Sequence, residues 1–401
     1  MKFALIGAKL GHSYSKIIHE AMGAYHYDLV ELSEDELENF AKNGEYDGFN
    51  VTIPYKKDIM KYCKSVSPKA LKIGSVNTVI RRNGVLEGDN TDYDGFLALS
   101  RLAGIDFTGK KTAVLGTGGT FCTAKAVAAD MGASGIITVS RSGEYNYSDI
   151  SAWNDCEIII NTTPVGMFPK NGEKIISLCD FPRCKGVIDV IYNPVKTPLV
   201  FEAQQLGIPA IGGLYMLVYQ AKCAYEIFTG QSFPSERVEE IYQDLLRSMQ
   251  NIVLIGMPGS GKSTLGKRIA KSLGREFIDT DAEIEKTANM TIPEIFERFG
   301  EKKFREMEAQ TAMRVCSLSG KVIATGGGIV LRPDNFYALS QNSRIYWVKR
   351  NIDRLSTDGR PLSTDLNRLY DMEKERTPLY EKFADKIIDN NGDLDSFKFE
   401  Y

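Results

Sequence analysis

No run of about 18 apolar residues occurs anywhere in the 401 residues, so no segment reads as a membrane-spanning helix. A surplus of charge is missing too: 49 Lys and Arg stand against 52 Asp and Glu, a net −3. No global field therefore draws the chain to nucleic acid or to an anionic membrane, and small polar ligands are the expected partners. Cysteine is sparse and odd in number, seven residues scattered from Cys63 to Cys316, which fits reduced thiols better than a disulfide framework. The pair Cys179 and Cys184 has no second pair with which to complete a zinc site. Histidine is down to three, of which His19 and His26 read as ordinary helix or surface residues. The N-terminal Met-Lys-Phe-Ala-Leu-Ile-Gly is too short in its apolar part for a signal peptide, and a cytoplasmic location is expected.

What is present is ordinary globular composition, 43% hydrophobic and 25% charged. At roughly 100–200 residues per domain, two or three domains are expected, each long enough to bury a core.

The most specific stretch lies late. Ile252 to Ile255 is an apolar run, and Gly256-Met-Pro-Gly259-Ser260-Gly261-Lys262-Ser263-Thr264 fills every fixed position of the P-loop pattern G-x-x-x-x-G-K-[ST] between that strand and a helix start. Glycines let backbone N–H groups curl round phosphates, Lys262 reaches the β- and γ-phosphates, and Ser263 offers a hydroxyl to Mg²⁺. A P-loop normally follows the first strand of its domain, so the preceding 250 residues carry something else.

There, Phe3 to Gly7 reads as a strand, and Gly11-His12-Ser13-Tyr14-Ser15 puts two hydroxyls at a helix N-terminus, where they suit either a carboxylate or simple capping. Ser33 to Glu36 has capping-box spacing, with the helix stopping near Gly44. Asn83-Gly84 signals a hairpin turn, and the return strand leads through Gly88-Asp-Asn-Thr-Asp92 into a helix running to Leu102. A strand over 112–115 then meets the turn Gly116-Thr117-Gly118-Gly119-Thr120, an approximate dinucleotide fingerprint with Phe121 in place of the third glycine. The next strand, 136–140, ends at Ser140-Arg141-Ser142, where an NAD enzyme usually places an acid. An arginine there pairs with a 2′-phosphate, so NADP is the expected ligand.

Several of these motifs together resemble the shikimate dehydrogenase family from Phe3 to about Gly230: His-Ser13-Tyr-Ser15, Asn50-Val-Thr52-Ile-Pro-Tyr-Lys56, Gly74-Ser-Val-Asn77-Thr, Gly88-Asp-Asn-Thr-Asp92, Asn161-Thr-Thr-Pro-Val-Gly166, Tyr192-Asn-Pro and Gly213-Leu-Tyr-Met-Leu-Val-Tyr-Gln220. The resemblance implies that Ser13, Ser15, Thr52, Asn77, Asp92 and Gln220 hold shikimate with Tyr192 beside it, and that Lys56 and Asp92 are the catalytic pair. It also implies that Gly116 to Thr120, Ser140 to Ser142, Val190 and Gly213 line an NADP(H) site. Three positions depart from the family: Lys16 for a proline, Ser75 for an alanine, and Ser140 for an asparagine.

From Ile252 almost to the end, the chain resembles the shikimate kinase family, through the P-loop, Phe277-Ile-Asp279-Thr-Asp281, Phe304-Arg305 with Glu308, Gly326-Gly327-Gly328, Asp358-Gly-Arg360-Pro-Leu and Arg376-Thr-Pro-Leu-Tyr380. The resemblance implies ATP as phosphoryl donor, Lys262 on the transferred phosphate, and Ser263 and Asp279 at Mg²⁺. It further implies Asp281, Arg305, Arg376 and the backbone of Gly326 to Gly328 on shikimate, with Arg360 entering from a lid. Glu308, one helical turn from Arg305, is expected either to orient that arginine or to make an ordinary surface i,i+3 pair with it. A short loop before Arg360 leaves Arg354 as the adenine-side contact, and the chain stops at Tyr401 where the family commonly continues into a closing helix.

The expected architecture is α/β throughout. Residues 1–249 form a two-lobed dehydrogenase, with a substrate lobe of 1–98 plus 214–249 and a Rossmann-type NADP-binding lobe of 99–213. Residues 250–401 form a P-loop kinase domain with a parallel sheet. The expected function is NADPH-dependent reduction of 3-dehydroshikimate to shikimate, then ATP-dependent phosphorylation to shikimate 3-phosphate. Two rivals are a kinase with a non-catalytic dehydrogenase-like scaffold and a quinate/shikimate dehydrogenase using NAD.

Overall fold

The computed structural model describes residues 1–11, 13–23, 25–355, 366–392 and 399. The chain forms two compact units, one of residues 1–165, 174–192 and 199–244, the other of 166–173, 193–198 and 245–401.

The first unit holds two sheets. Strands β1 (Lys2–Gly7), β2 (His26–Glu31), β3 (Gly48–Val51), β4 (Ser65–Val66), β5 (Thr78–Arg82) and β6 (Val85–Asp89) lie in the order β2-β1-β3-β5-β6-β4. β1 runs parallel to β2 and β3, while β5 is antiparallel to both β3 and β6. The β5–β6 hairpin turns on Asn83 and Gly84, both with positive φ, as the sequence predicts. Register then decides where function can sit. Ile6 pairs with Val51, Asn50 with Thr78, and Thr78 with Asp89, so the loops after β1, β3 and β6 and the residue before β5 all emerge at one edge.

The second sheet is all parallel: β7 (Lys111–Leu115), β8 (Gly135–Val139), β9 (Ile158–Asn161), β10 (Gly186–Asp189) and β11 (Ala210–Gly212), in the order β11-β10-β9-β7-β8. Helices on both faces explain why β9 and β10 are buried along their whole length and read as unbroken apolar runs. The chain leaves β7 for β8 on one side and returns to β9 on the other, which opens a crevice at the carboxyl ends of β7 and β9.

The second unit repeats that logic with β12 (Asn251–Ile255), β13 (Phe277–Asp279), β14 (Val322–Ala324), β15 (Ser343–Lys349) and β16 (Lys386–Asp389), all parallel in the order β13-β14-β12-β15-β16. Ile252 to Ile255 are wholly buried in the central strand. The switch point lies between β14 and β12, so the turn after β12 and the glycines after β14 face one crevice. Capping boxes at Ser33 with Glu36 and Thr291 with Glu294 start two of the helices. Among the described residues, no helix is long and apolar enough to cross a membrane.

Candidate active sites

The edge shared by β1, β3, β5 and β6 borders a cleft of 430 Å³. Every substrate residue expected from the sequence in this unit lines it: Ser13, Ser15, Thr52, Lys56, Asn77, Asp92, Tyr192 and Gln220. Asp92 could have been a simple helix cap. Instead the helix Thr91–Leu102 is capped by Asn90, whose Oδ1 accepts the Asp92 N–H at 3.1 Å, leaving the Asp92 carboxylate to accept from Lys56 Nζ at 2.5 Å. Only 18% of the Lys56 side chain and 12% of that of Asp92 remain exposed, so the pair is a partly desolvated one.

Its neighbours are held by their own hydrogen bonds. Asn77 Oδ1 accepts from Thr91 N–H at 2.7 Å, which leaves the Asn77 amide NH₂ for the cleft. Gln220 Nε2 donates to Leu217 O at 2.9 Å and leaves Oε1. Ser13 Oγ accepts from Ser15 N–H at 3.2 Å, but the N-cap position of the helix Ser15–Ala21 is held by Tyr14 with no side-chain cap bond, and both serines line the cleft. Tyr192 meets Tyr14 edge-on, centroids 6.1 Å apart; burial first, then Tyr14, pushes its phenol above the usual range and keeps it a neutral donor.

The turn after β7 lies beside this cleft, which Thr120, Val190 and Gly213 also line. Gly116 N–H donates to Val139 O at 2.8 Å, tying the turn to the end of β8, two residues before the exposed Arg141. A Cβ on Gly116 would come within 2.6 Å of the Thr163 methyl, and one on Gly213 would collide with the Val190 carbonyl. Thr117, Gly118 and Gly119 follow with exposed backbone, Ser140 is buried and Ser142 is exposed. A glycine turn with bare N–H groups, opening the helix Phe121–Asp130 and flanked by an arginine, fits a pyrophosphate and a 2′-phosphate.

His19 was expected to be an ordinary helix or surface residue. It is on a helix but fully buried, its ring stacked on Tyr27 at 4.0 Å and its Nδ1 2.6 Å from Tyr25 OH. Burial pulls its pKa down to about 3.

In the second unit a cleft of 530 Å³ lies at the switch point. Gly259, Gly261, Lys262, Ser263, Thr264, Asp279, Asp281, Arg305, Gly326, Gly327, Gly328 and Arg376 line it; Ser260 is buried beneath, and Arg360 lies outside the described residues. Lys262 Nζ folds back on its own loop, donating to Gly256 O at 2.9 Å and Met257 O at 2.8 Å. Gly261 has φ +90° and its missing Cβ would stand 2.5 Å from Asn390 Nδ2, so the loop has the glycine cradle a triphosphate needs. Ser263 Oγ donates to Asp279 Oδ2 at 2.7 Å, two hard oxygen groups side by side on the cleft wall; such a donor set fits Mg²⁺, which takes one or two protein oxygens and completes its shell with phosphates and water.

The glycines after β14 let charged groups converge. A Cβ on Gly326 would meet both Asp281 Oδ1 and Glu308 Oε1 at 2.7 Å, and one on Gly328 would overlap the Arg305 guanidinium. Arg305 Nη1 donates to Glu308 Oε2 at 2.8 Å, as expected one turn along the helix. Burial pushes the Glu308 carboxyl up and Arg305 pulls it back, with a net rise. Arg376 Nη1 and Tyr380 OH both donate to Gly327 O, at 3.1 and 2.5 Å. Arg354 does not line the cleft and donates to Asn391 O at 2.5 Å, whereas Arg350, which the sequence reading passed over, does line it. The reading also missed the apolar wall of Ile292, Phe296, Phe304 and Met372.

Comparison with known proteins matches both units. The shikimate dehydrogenase substrate binding domain model covers residues 5–79, the shikimate 5′-dehydrogenase C-terminal domain model covers 213–241, and the shikimate kinase model covers 258–399. The shikimate dehydrogenase (NADP(+)) of Caldanaerobacter subterraneus subsp. tengcongensis is 34% identical over 267 residues, spanning 59% of this chain and 95% of the relative. That of Clostridium perfringens is 33% identical, spanning 61% of this chain and 97% of the relative. Among solved structures, a chorismate mutase/shikimate 5-dehydrogenase fusion protein from Clostridium acetobutylicum is 35% identical with a TM-score of 0.58, covering 61% of this chain and 96% of its own. A shikimate dehydrogenase solved in complex with NADP⁺ is 30% identical with a TM-score of 0.55, covering 61% of this chain and 95% of its own.

Proposed function

The chain belongs to the shikimate dehydrogenase family and carries a shikimate kinase domain over residues 258–399, and from that premise we propose a bifunctional enzyme that reduces 3-dehydroshikimate to shikimate with NADPH and phosphorylates shikimate with ATP and Mg²⁺. The observation that carries the reading is that one chain holds two separate constellations, Lys56 on Asp92 in the first cleft and Ser263 on Asp279 in the second.

When bound, the reduced nicotinamide supplies the hydride, and the magnesium nucleotide supplies the phosphoryl group. In the first cleft, Lys56 Nζ donates a proton to the ketone oxygen as it gains charge, and Asp92 fixes the ammonium and accepts from a neighbouring ring hydroxyl. Ser13, Ser15, Thr52, Asn77, Gln220 and Tyr192 orient the ring. Gly116, Thr117, Gly118, Gly119, Thr120, Ser140, Ser142, Val190 and Gly213 seat the dinucleotide, with Arg141 selecting the 2′-phosphate.

In the second cleft, Asp281 accepts or orients the proton of the attacking hydroxyl, while Arg305 and Arg376 grip the shikimate carboxylate and ring with the backbone of Gly326 to Gly328. Lys262 leaves its loop carbonyls to meet phosphate oxygens, Gly259, Ser260, Gly261 and Thr264 complete the cradle, Ser263 and Asp279 hold the cation, and Arg360 meets charge on the phosphoryl group. Glu308 acts through Arg305. The free cysteines support a reducing, cytoplasmic setting.

To test this, purified protein is incubated with 3-dehydroshikimate, NADPH, ATP and Mg²⁺, following NADPH absorbance and identifying products. Shikimate 3-phosphate is expected; conversion that halts at shikimate, or never begins, contradicts the corresponding half.

A further inference from the structure

We propose that Lys9 is a specificity residue of the reducing cleft, supplying the positive charge that recognises the carboxylate of its substrate; the inference rests on the reductase reading above. Lys9 is exposed and lines the cleft at the loop between β1 and the first helix. Among the described residues, three of the Lys, Arg, Asp and Glu residues line that cleft: Lys9, Lys56 and Asp92. Lys56 is committed to Asp92 at 2.5 Å, and among the described residues Lys9 has no ion-pair partner. Two ammonium groups against one carboxylate leave the cleft with one uncompensated positive charge, and that charge is on Lys9.

The loop around it is held by hydrogen bonds. Leu10, the next residue, is buried, donates its N–H to Glu31 Oε1 at 2.7 Å, and accepts from Ser13 N–H at 2.9 Å through its carbonyl. The second bond closes a turn just after Lys9, so the loop residues Lys9 and Ser13 and the helix-start residue Ser15 line the same cleft. Glu31, the acid tied to this loop, accepts from the Leu10 N–H and is not among the residues lining the cleft.

Without Lys9, every other group available to a carboxylate here is neutral: serine and threonine hydroxyls, the Asn77 amide and the Tyr192 phenol. Neutral donors already favour a carboxylate over its ester, and an ammonium adds a full charge to that preference. Because the substrate carboxylate lies away from the carbon that takes the hydride, its contact with Lys9 is the same in ground and transition states. It should therefore set KM and leave kcat alone.

The test is steady-state oxidation by NADP⁺ of shikimate and of its methyl ester, using the full chain as wild type, Lys9→Met and Lys9→Arg, at low and high ionic strength. Lys9→Met should raise the KM for shikimate roughly tenfold with kcat retained and flatten its dependence on salt, and Lys9→Arg should restore both. The KM for the ester should be the same in wild type and Lys9→Met. A retained kcat for shikimate and an unchanged KM for NADP⁺ show that the reducing unit of the variant is folded. An unchanged shikimate KM in Lys9→Met, or an equal rise for ester and acid, overturns the proposal. A wild type that oxidises neither compound contradicts instead the reductase reading beneath it.

Discussion

Lys56 Nζ lies 2.5 Å from Asp92 Oδ2 although 36 residues separate them in the chain. The contact exists because β3, β5 and β6 deliver their ends to one edge and because Asn90, not Asp92, caps the following helix. Lys56→Met, close to lysine in length but without the proton, should lower kcat for reduction by about a hundredfold or more while NADPH still binds, as general acid catalysis contributes typically ~10²–10⁴-fold. Stopped-flow or steady-state NADPH oxidation measures this. A variant within a few fold of wild type would remove Lys56 from the chemistry.

Arg141 follows β8 beside the Gly116 turn and is exposed. Arg141→Ala should raise the KM for NADPH about tenfold, because a charge-assisted bond to the 2′-phosphate is worth roughly 1.5–3 kcal/mol before solvent screening, and should leave NADH nearly untouched. Equal weakening of both cofactors would take Arg141 out of the site.

Glu308 is buried beneath Arg305. Glu308→Gln keeps the shape but drops the charge that fixes the guanidinium, so the kinase KM for shikimate should rise about tenfold while that for ATP holds. An effect on ATP alone, or none on either, contradicts a positioning role.

His19 carries a pH prediction. Its folded pKa is about 3 against an ordinary 6.5, so as pH falls below 6.5 the unfolded chain takes up a proton that the folded one refuses. Stability is therefore full above pH 6.5 and lost progressively down to about pH 3. By pH 5 the loss is about 2 kcal/mol at ~1.36 kcal/mol per unit. Denaturant melts of His19→Phe should lack that part of the slope between pH 6.5 and 5; parallel wild-type and variant slopes would mean that His19 is not buried neutral.

Much of this was legible in the sequence because it is local. The P-loop, the Asn83-Gly84 turn and the Ser33 box each depend on neighbours a few residues apart. What escaped depends on distant partners. Arg350 lines the kinase cleft because β15 ends at the ligand edge of its sheet, a placement that an arginine directly after an apolar strand could have suggested. Phe296 and Phe304 share one wall across a break at Gly300, where φ is +76°, and no helical period predicts that break. Arg376 and Tyr380 sit in a helix, Leu366–Phe383, that contains Pro378, a residue that argues against helix interiors. His19 looked like one more amphipathic-helix residue because its burial comes from Tyr25 and Tyr27, beyond its own helix.

The account turns on two independent active sites in one chain, each cleft lined by residues of one unit. The most direct test assays NADPH-dependent reduction and ATP-dependent phosphorylation separately in wild type, Lys56→Met and Lys262→Ala, with circular dichroism to check folding. Lys56→Met should lose reduction and phosphorylate added shikimate at the wild-type rate, and Lys262→Ala should do the reverse. A folded single variant that loses both activities, or a wild type that shows only one, contradicts the account.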